Sequence, residues 1–314
     1  MREILYARPV PLTAADRSAL VTLDRRLNTL LPQEYQGAYD AVEPTSMGSA
    51  GLRFDADGRV AWDEIWGSFC DLAMAGGPPH KGRLLRPGAP GDIAAAPDRH
   101  AEVVEEICRG VRMVTDLDAA AAPDQGWVRV RCLTDQMAAW LLRAITMENV
   151  AVRGGPRTID LPAAPGYRVE KEIKNVITVI AKTCHYWVGH MERTQQHEIG
   201  RLFATIAEET PLITPGYDED PAIQPHAHLA ASVQQRTGLA SILPYDVGWL
   251  GLDITSVRPA VWMMRALIVA NVLARREDTV LYVPVHQGQD PGGEQVADRV
   301  TRVWELARAR GLLT

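Results

Sequence analysis

The sequence predicts an α+β fold built from two copies of a β-α-β-β-α unit. Three observations predict it: an internal repeat, the same order of strand-like and helix-like stretches in both copies, and the composition of a folded chain. The chain has 314 residues, of which 46% are hydrophobic, and its formal net charge is −6. This composition excludes a disordered chain, a collagen-like chain and a disulfide-stabilised miniprotein.

The repeat becomes visible when the chain is aligned with itself at a shift of 122 positions. Residues 126–162 then align without a gap with residues 248–284, and ten of the 37 aligned pairs are identical. The identical pairs include two tryptophan pairs and two arginine pairs: Trp127/Trp249, Trp140/Trp262, Arg143/Arg265 and Arg153/Arg275. Tryptophan is rare, so two matched tryptophans indicate a true duplication.

Both copies contain the same local patterns. In the first copy, the alternating pattern of β-favouring residues from Trp127 to Cys132 predicts a strand. Polar residues then follow that can cap the apolar helix after them. Asn149 tolerates the left-handed conformation that ends a helix, and β-rich runs on both sides of residues 154–156 predict a hairpin. The second copy repeats this order, and two amphipathic helices follow the hairpins, Lys171–Trp187 and Glu294–Arg310.

The predicted unit resembles a ferredoxin-like unit without its last strand, with helices on one face of an antiparallel or mixed sheet. If the hairpins are misassigned, the alternative is a doubly wound α/β fold. We predict an N-terminal α/β region over residues 1–122, interpreted as either a degenerate third copy or an unrelated region. The first copy then covers 123–187, a histidine-rich helix and proline-rich loop cover 188–245, and the second copy covers 246–314.

The richest stretch of chemically active side chains lies between residues 182 and 198. If its helix continues past Gly189, then His190 and His197 share one face, where imidazole can transfer protons near neutral pH. Cys184 is a candidate nucleophile, although the apolar run before it favours an inert thiol. His80, in a glycine- and proline-rich run, is the fourth catalytic candidate. The alternative interpretation is that these histidines are solvated or structural.

His226 and His228 are the candidate metal ligands. They lie one residue apart in the proline-rich segment, and on an extended chain both rings would point to the same side. Neutral imidazole suits zinc, iron or copper, so a divalent transition metal is the candidate cofactor. The alternative is that no metal binds and that the cofactor, if the chain has one, is unknown.

The arginines repeated in both copies are the candidate ligand-binding residues. Guanidinium groups around a pseudo-twofold cleft could hold a carboxylate or a phosphate. The candidates for this role are the four matched residues, Arg143, Arg265, Arg153 and Arg275. The alternative is structural, with each arginine stacked on a tryptophan of its own copy.

These features predict a cytoplasmic bacterial enzyme that acts on a small anionic metabolite by histidine acid–base or metal-assisted chemistry. The four cysteines form no metal or disulfide pattern, and the N-terminus lacks the apolar core of a signal peptide. No apolar stretch reaches the roughly 20 residues of a membrane span, and the acidity argues against nucleic acid. The alternative is a non-catalytic duplicated module that binds a protein partner, and either version could form a homo-oligomer.

Overall fold

The computed structural model describes residues 12–36, 51–65, 74, 82–219 and 226–313. The chain divides into two compact units, which we call the first unit (Leu31–Phe203) and the second unit (Met1–Leu30 with Ala204–Thr314). The predicted boundaries at residues 122, 187 and 245 stay predictions. His80 and the glycine-rich run around it lie outside the described residues.

The described helices and strands are interspersed along the chain. The helices are α1 Ala14–Leu30, α2 Pro90–Ala95, α3 Pro97–Thr115, α4 Asp135–Met147, α5 Lys174–His185, α6 Arg193–Glu209, α7 His226–Thr237, α8 Val257–Val269 and α9 Glu294–Ala309. The strands are β1 Ala119–Ala121, β2 Trp127–Arg131, β3 Arg153–Gly155, β4 Thr158–Pro162, β5 Trp249–Asp253, β6 Arg275–Glu277 and β7 Val280–Pro284.

The strands form two small antiparallel sheets, in the orders β1-β2-β4-β3 and β5-β7-β6. Helices and antiparallel sheets together confirm the predicted α+β class. The doubly wound alternative requires a parallel sheet, whereas every ladder between the described strands is antiparallel. Isolated parallel bridges join Leu85 to Val150 and Ile213 to Val272.

Within each unit, the second strand of a hairpin lies between two strands that run in the same direction. β4 pairs with β2 on one side and with β3 on the other, and β7 pairs likewise with β5 and β6. Trp127 lies opposite Pro162 in the first sheet, and Trp249 lies opposite Pro284 in the second. The predicted hairpins are therefore confirmed, although their turns, at residues 156–157 and 278–279, lie later in the chain than predicted.

The residues at the ends of α4 and after α8 adopt the capping conformations that the sequence predicted. The Thr134 hydroxyl accepts a hydrogen bond of 3.1 Å from the Met137 amide and so caps the helix. After the helix, Asn149 has a φ of 59°, and Asn271 after α8 has a φ of 61°. Both asparagines thus adopt the left-handed conformation that was expected of them.

The helix that contains His185 does not continue to His197, as one prediction required. α5 continues into a π-helical turn, Tyr186–His190, and α6 begins only at Arg193. The prediction that His190 and His197 share one face of a continuous helix is therefore wrong, because the helix breaks between them.

The region before β1 combines short irregular elements with helices, and its interpretation as a degenerate third copy stays a prediction. Phe54 forms a single bridge with Val60 instead of a strand, and the next element is a short 3-10 helix, Trp62–Glu64. The long helix α3 then precedes β1. Among the described helices, none combines the length and apolarity needed to cross a membrane.

Candidate functional site

A surface depression of about 640 Å³ lies in the first unit. One wall is formed by Gln33 and Glu34, which belong to a single 3-10 turn, Gln33–Tyr35. The other wall is formed by residues 188–192, the end of the π-helical turn and the two residues after it. The depression therefore lies where two irregular backbone segments meet, next to a histidine.

His190 forms hydrogen bonds through both ring nitrogens. Its Nδ1 lies 2.9 Å from Oε2 of Glu34, and its Nε2 lies 2.9 Å from Nε2 of His185. An ionised carboxylate only accepts hydrogen bonds, so the ionised Glu34 requires a hydrogen on Nδ1 of His190. The three side chains therefore form a continuous chain from a carboxylate through two imidazoles.

The environment of His185 disfavours its charged form. Burial is the largest cause that lowers the pKa of His185, and the neighbouring His190 lowers it further. The charge of Glu34 acts in the opposite direction and raises this pKa. With the two ring centroids 4.7 Å apart, a proton on one ring repels a proton on the other.

The π-helical turn explains how two histidines five residues apart can meet. In an α-helix, residues five apart differ by about 140° around the axis, so their rings diverge. A π-helical turn bonds residue i to residue i+5 and is wider, which brings His185 and His190 to the same side. Such turns often occur at functional sites.

A tyrosine pair fixes the short turn that carries Glu34. The hydroxyls of Tyr35 and Tyr186 are 2.8 Å apart, and the Tyr186 ring centroid is 5.0 Å from that of His190. Gln195 also donates a hydrogen bond to the carbonyl of Leu31, just before the turn. These contacts hold the turn that carries Glu34 beside the histidines.

Of the four predicted catalytic residues, His190 belongs to this cluster. His197 lies on an exposed part of α6. Cys184 is buried, and burial raises the pKa of its thiol far above the usual value, which argues against a nucleophilic thiolate. The catalytic roles of His197 and Cys184 stay predictions, and His80 lies outside the described residues.

Sequence reasoning missed Glu34, Tyr35, His185 and Tyr186 as site residues. His185 was not among the candidate site residues. The spacing of five residues between His185 and His190 was the available signal, because it fits a π-helical turn. No local pattern pointed to Glu34, which lies 156 residues before His190.

The arginines of the first unit are engaged within the protein. Arg143 is buried, which lowers its pKa to about 10, and its guanidinium lies 4.0 Å from the centroid of the Phe203 ring. Arg153 forms ion pairs of 2.9 Å with Asp124 and 3.1 Å with Asp160. Its guanidinium also lies 4.4 Å from the centroid of the Trp127 ring.

The arginines of the second unit are also buried. Arg275 forms ion pairs of 2.6 Å with Glu277 and 3.2 Å with Asp246, and it lies 3.8 Å from the centroid of the Tyr282 ring. Arg265 is buried in α8. The contacts of Arg143, Arg153 and Arg275 favour structural roles, and the anion-binding roles of all four arginines stay predictions.

His226 and His228 begin a helix, so the expectation that they lie on an extended chain is wrong. On α7, two residues that are two apart point about 160° away from each other. Nε2 of His226 lies 2.8 Å from the carbonyl oxygen of Asp246, and Nδ1 of His228 lies 2.7 Å from that of Gly292. In the described part of the chain, no three or more His, Cys, Asp or Glu side chains are arranged to hold a metal. The metal assignment stays a prediction without structural support.

No family model, no curated protein and no solved structure matches this chain.

Proposed function

We propose that the protein is an enzyme that uses His185 and His190 for general acid–base chemistry on a small molecule bound in the depression. The observation that carries this proposal is the 2.9 Å contact between the two Nε2 atoms, with Glu34 on the far nitrogen of His190. Imidazole is the most common acid–base group in enzymes, and a carboxylate behind it fixes its orientation and tautomer.

Each side chain of the cluster has a separate role. Glu34 orients His190 and stabilises positive charge that develops on the ring. His190 exchanges a hydrogen with His185 along their shared bond. Because the pKa of His185 is lowered, its ring is neutral near pH 7 and can accept a proton.

The lining of the depression favours a neutral or cationic substrate over an anionic one. Glu34 and Glu192 are the charged groups among the described lining residues, alongside His190. An anion would be repelled by these carboxylates. We therefore propose an uncharged or amine-containing small molecule in place of the anionic metabolite that the sequence suggested.

We further propose that the two β-α-β-β units are diverged copies related by duplication. Support comes from the equivalent register of Trp127 with Pro162 and Trp249 with Pro284. A ferredoxin-like ancestor is part of this proposal. A bacterial cytoplasmic location is proposed as well, supported by the free, buried state of the described cysteines, Cys108, Cys132 and Cys184.

The test is a thermal-shift screen of neutral, cationic and anionic metabolites, followed by product detection for each compound that stabilises the protein. We expect binding to a neutral or cationic compound, and turnover that falls by about 100-fold or more in His185→Gln and in His190→Gln. His100→Gln, elsewhere in the first unit, is the matched control.

Turnover that survives in both variants would contradict the catalytic proposal. A protein that stabilises only in the presence of a partner protein, and that turns over no compound, would favour the alternative function, a duplicated binding or assembly module.

A further inference from the structure

We propose that the loop of residues 286–288 in the second unit is a binding site for a small carboxylate molecule, and that the chain fills this site with its own Glu219. Two backbone N–H groups and the imidazole of His286 surround one carboxylate group there. The inference goes beyond the acid–base proposal, because all of its residues belong to the second unit.

The first step of the argument concerns how the loop binds the Glu219 carboxylate. The amide of Gln287 donates a 2.9 Å hydrogen bond to Oε2, and the amide of Gly288 donates a 3.1 Å hydrogen bond to Oε1. Nδ1 of His286 lies 2.7 Å from Oε1. Successive backbone N–H groups form anion-binding concavities in proteins. Because each oxygen has its own backbone donor, the loop matches a flat anion with two oxygens, which is a carboxylate.

The second step concerns the contacts that hold the loop in place. The amide of Asp290 donates a 2.9 Å hydrogen bond to the carbonyl of His286, and the amide of Gly216 donates one of 2.9 Å to the carbonyl of Val285. Both carboxylate oxygens of Asp290 accept hydrogen bonds from amides at the start of α9. These bonds do not involve the Glu219 side chain, so they remain when that side chain leaves the loop.

The third step concerns Gly216, over which the Glu219 side chain folds. A Cβ atom built on Gly216 would lie 2.5 Å from Oε2 and 2.6 Å from Cδ of Glu219. These distances are too short for non-bonded atoms, and the Glu219 side chain is the flexible partner that has to move. A side chain at residue 216 would therefore push the carboxylate out of the loop.

The corresponding place in the first unit lacks both charged side chains. There the amide of Gly88 donates a 2.9 Å hydrogen bond to the carbonyl of Ala163, the same backbone contact as in the second unit. The alignment at a shift of 122 positions, when continued, places Ala164 opposite His286. The residue three positions after Gly88 is Gly91, where the second unit has a glutamate. The imidazole and the carboxylate thus occur together in one copy, which favours a specific role over a requirement of the fold.

The tethered carboxylate of Glu219 competes with any free carboxylate for the loop. Short flexible tethers give effective concentrations in the millimolar range. An external carboxylate therefore binds with a reduced apparent affinity while Glu219 occupies the site. Because the ligand and Glu219 exclude each other, binding of the ligand releases the Glu219 side chain, and removal of Glu219 increases the affinity for the ligand.

The test measures binding of sodium acetate to the full chain by NMR, from the shifts of the backbone N–H signals of Gln287 and Gly288. Sodium phosphate is the second probe, and sodium chloride keeps the ionic strength constant. Glu219→Ala removes the tethered carboxylate, whereas Gly216→Ala displaces it and keeps its charge. Glu208→Ala is the matched control, because it removes an exposed carboxylate from α6 in the same unit.

We expect saturable acetate shifts in Glu219→Ala, with an affinity at least about tenfold higher than in the wild type. Gly216→Ala should show a smaller gain, and Glu208→Ala should behave as the wild type. Either site variant decides the question by itself, so the test holds if one of them does not fold. Acetate affinity that stays at the wild-type level in a folded site variant, or a response to phosphate alone, would overturn the inference.

Discussion

His185 and His190 share one hydrogen bond of 2.9 Å between their Nε2 atoms, and only one of these two nitrogens can carry the hydrogen at a time. A proton added to both rings would place two positive charges side by side. The proximity of His190 therefore disfavours a positive charge on His185, in the same direction as burial.

The first prediction concerns the pKa of His185. We expect it to lie below 6.5, the ordinary value for histidine. His190→Gln should raise it by removing the neighbouring positive charge, whereas the effect of burial should remain. The measurement is an NMR titration of the ring Cε1–H signals. His100, whose pKa is lowered by burial alone, serves as the internal control and should titrate unchanged.

The second prediction concerns stability as a function of pH. Because the pKa of His185 is lower in the folded state, the unfolded chain binds this proton more tightly. The free energy of unfolding should therefore decrease as the pH falls below 6.5, and should be unaffected by this group above that value. His185→Gln should remove less than about 1 kcal/mol of this pH dependence, since the ring is partly exposed. Urea denaturation of both proteins at about pH 7.5 and about pH 5.5 measures the difference. An equal decrease in unfolding free energy between the two pH values in both proteins would contradict the lowered pKa of His185.

The third prediction concerns Glu34. Its charge raises the pKa of His185, so Glu34→Gln should lower that pKa further. The stability cost should be about 0–1 kcal/mol, because the Glu34 side chain is 44% exposed. Glu192→Gln, on the opposite wall, is the matched control. NMR titration that shows equal effects of the two substitutions would argue against a specific link between Glu34 and the histidines.

The sequence predicted those parts of the fold that depend on interactions between residues close together in the chain. The α+β class, both hairpins and the left-handed Asn149 and Asn271 follow from short-range patterns of apolar, turn-forming and capping residues. Buried Trp140 and Trp262 also fit their predicted positions on the helices. These features depend on residues only a few positions apart.

The candidate site could be predicted only in part, because its contacts join distant segments. His190 was found from its own stretch, but its partner Glu34 comes from a turn 156 residues earlier. The prediction that His190 and His197 share one face assumed a continuous α-helix. The π-helical turn that pairs His190 with His185 departs from the α-helical period. The extended conformation expected of His226 and His228 was wrong because nearby prolines favour an irregular chain, whereas both residues lie in α7.

The fourth prediction concerns the matched tryptophans. Trp140 is fully buried and Trp262 is 3% exposed, so replacement of either by alanine should cost about 3–5 kcal/mol of unfolding free energy. The less buried Trp304 is the control, and Trp304→Ala should cost clearly less. Urea denaturation is the measurement. A small cost at Trp140 or Trp262 would show that the two helices do not depend on these side chains.

The last prediction separates a structural role of the repeated arginines from a ligand-binding role. The Arg275 side chain is completely buried, and it forms ion pairs with Glu277 and Asp246. Arg275→Met keeps the apolar stem but leaves two partly buried carboxylates without their shared partner. Because removal of one member of a buried ion pair is strongly destabilising, we expect a cost of about 3–5 kcal/mol.

Arg153→Met is the matched comparison and should cost only about 1 kcal/mol. The Arg153 side chain is 20% exposed, and its buried partner Asp160 is also held by Arg129 through two hydrogen bonds, 2.8 and 2.9 Å long. Asp160 thus keeps a partner when Arg153 is lost, whereas the Arg275 side chain is completely buried beside Glu277 and Asp246. Urea denaturation of both variants gives the two costs. Two small costs, combined with loss of anion binding, would instead support the ligand-binding role predicted from the sequence.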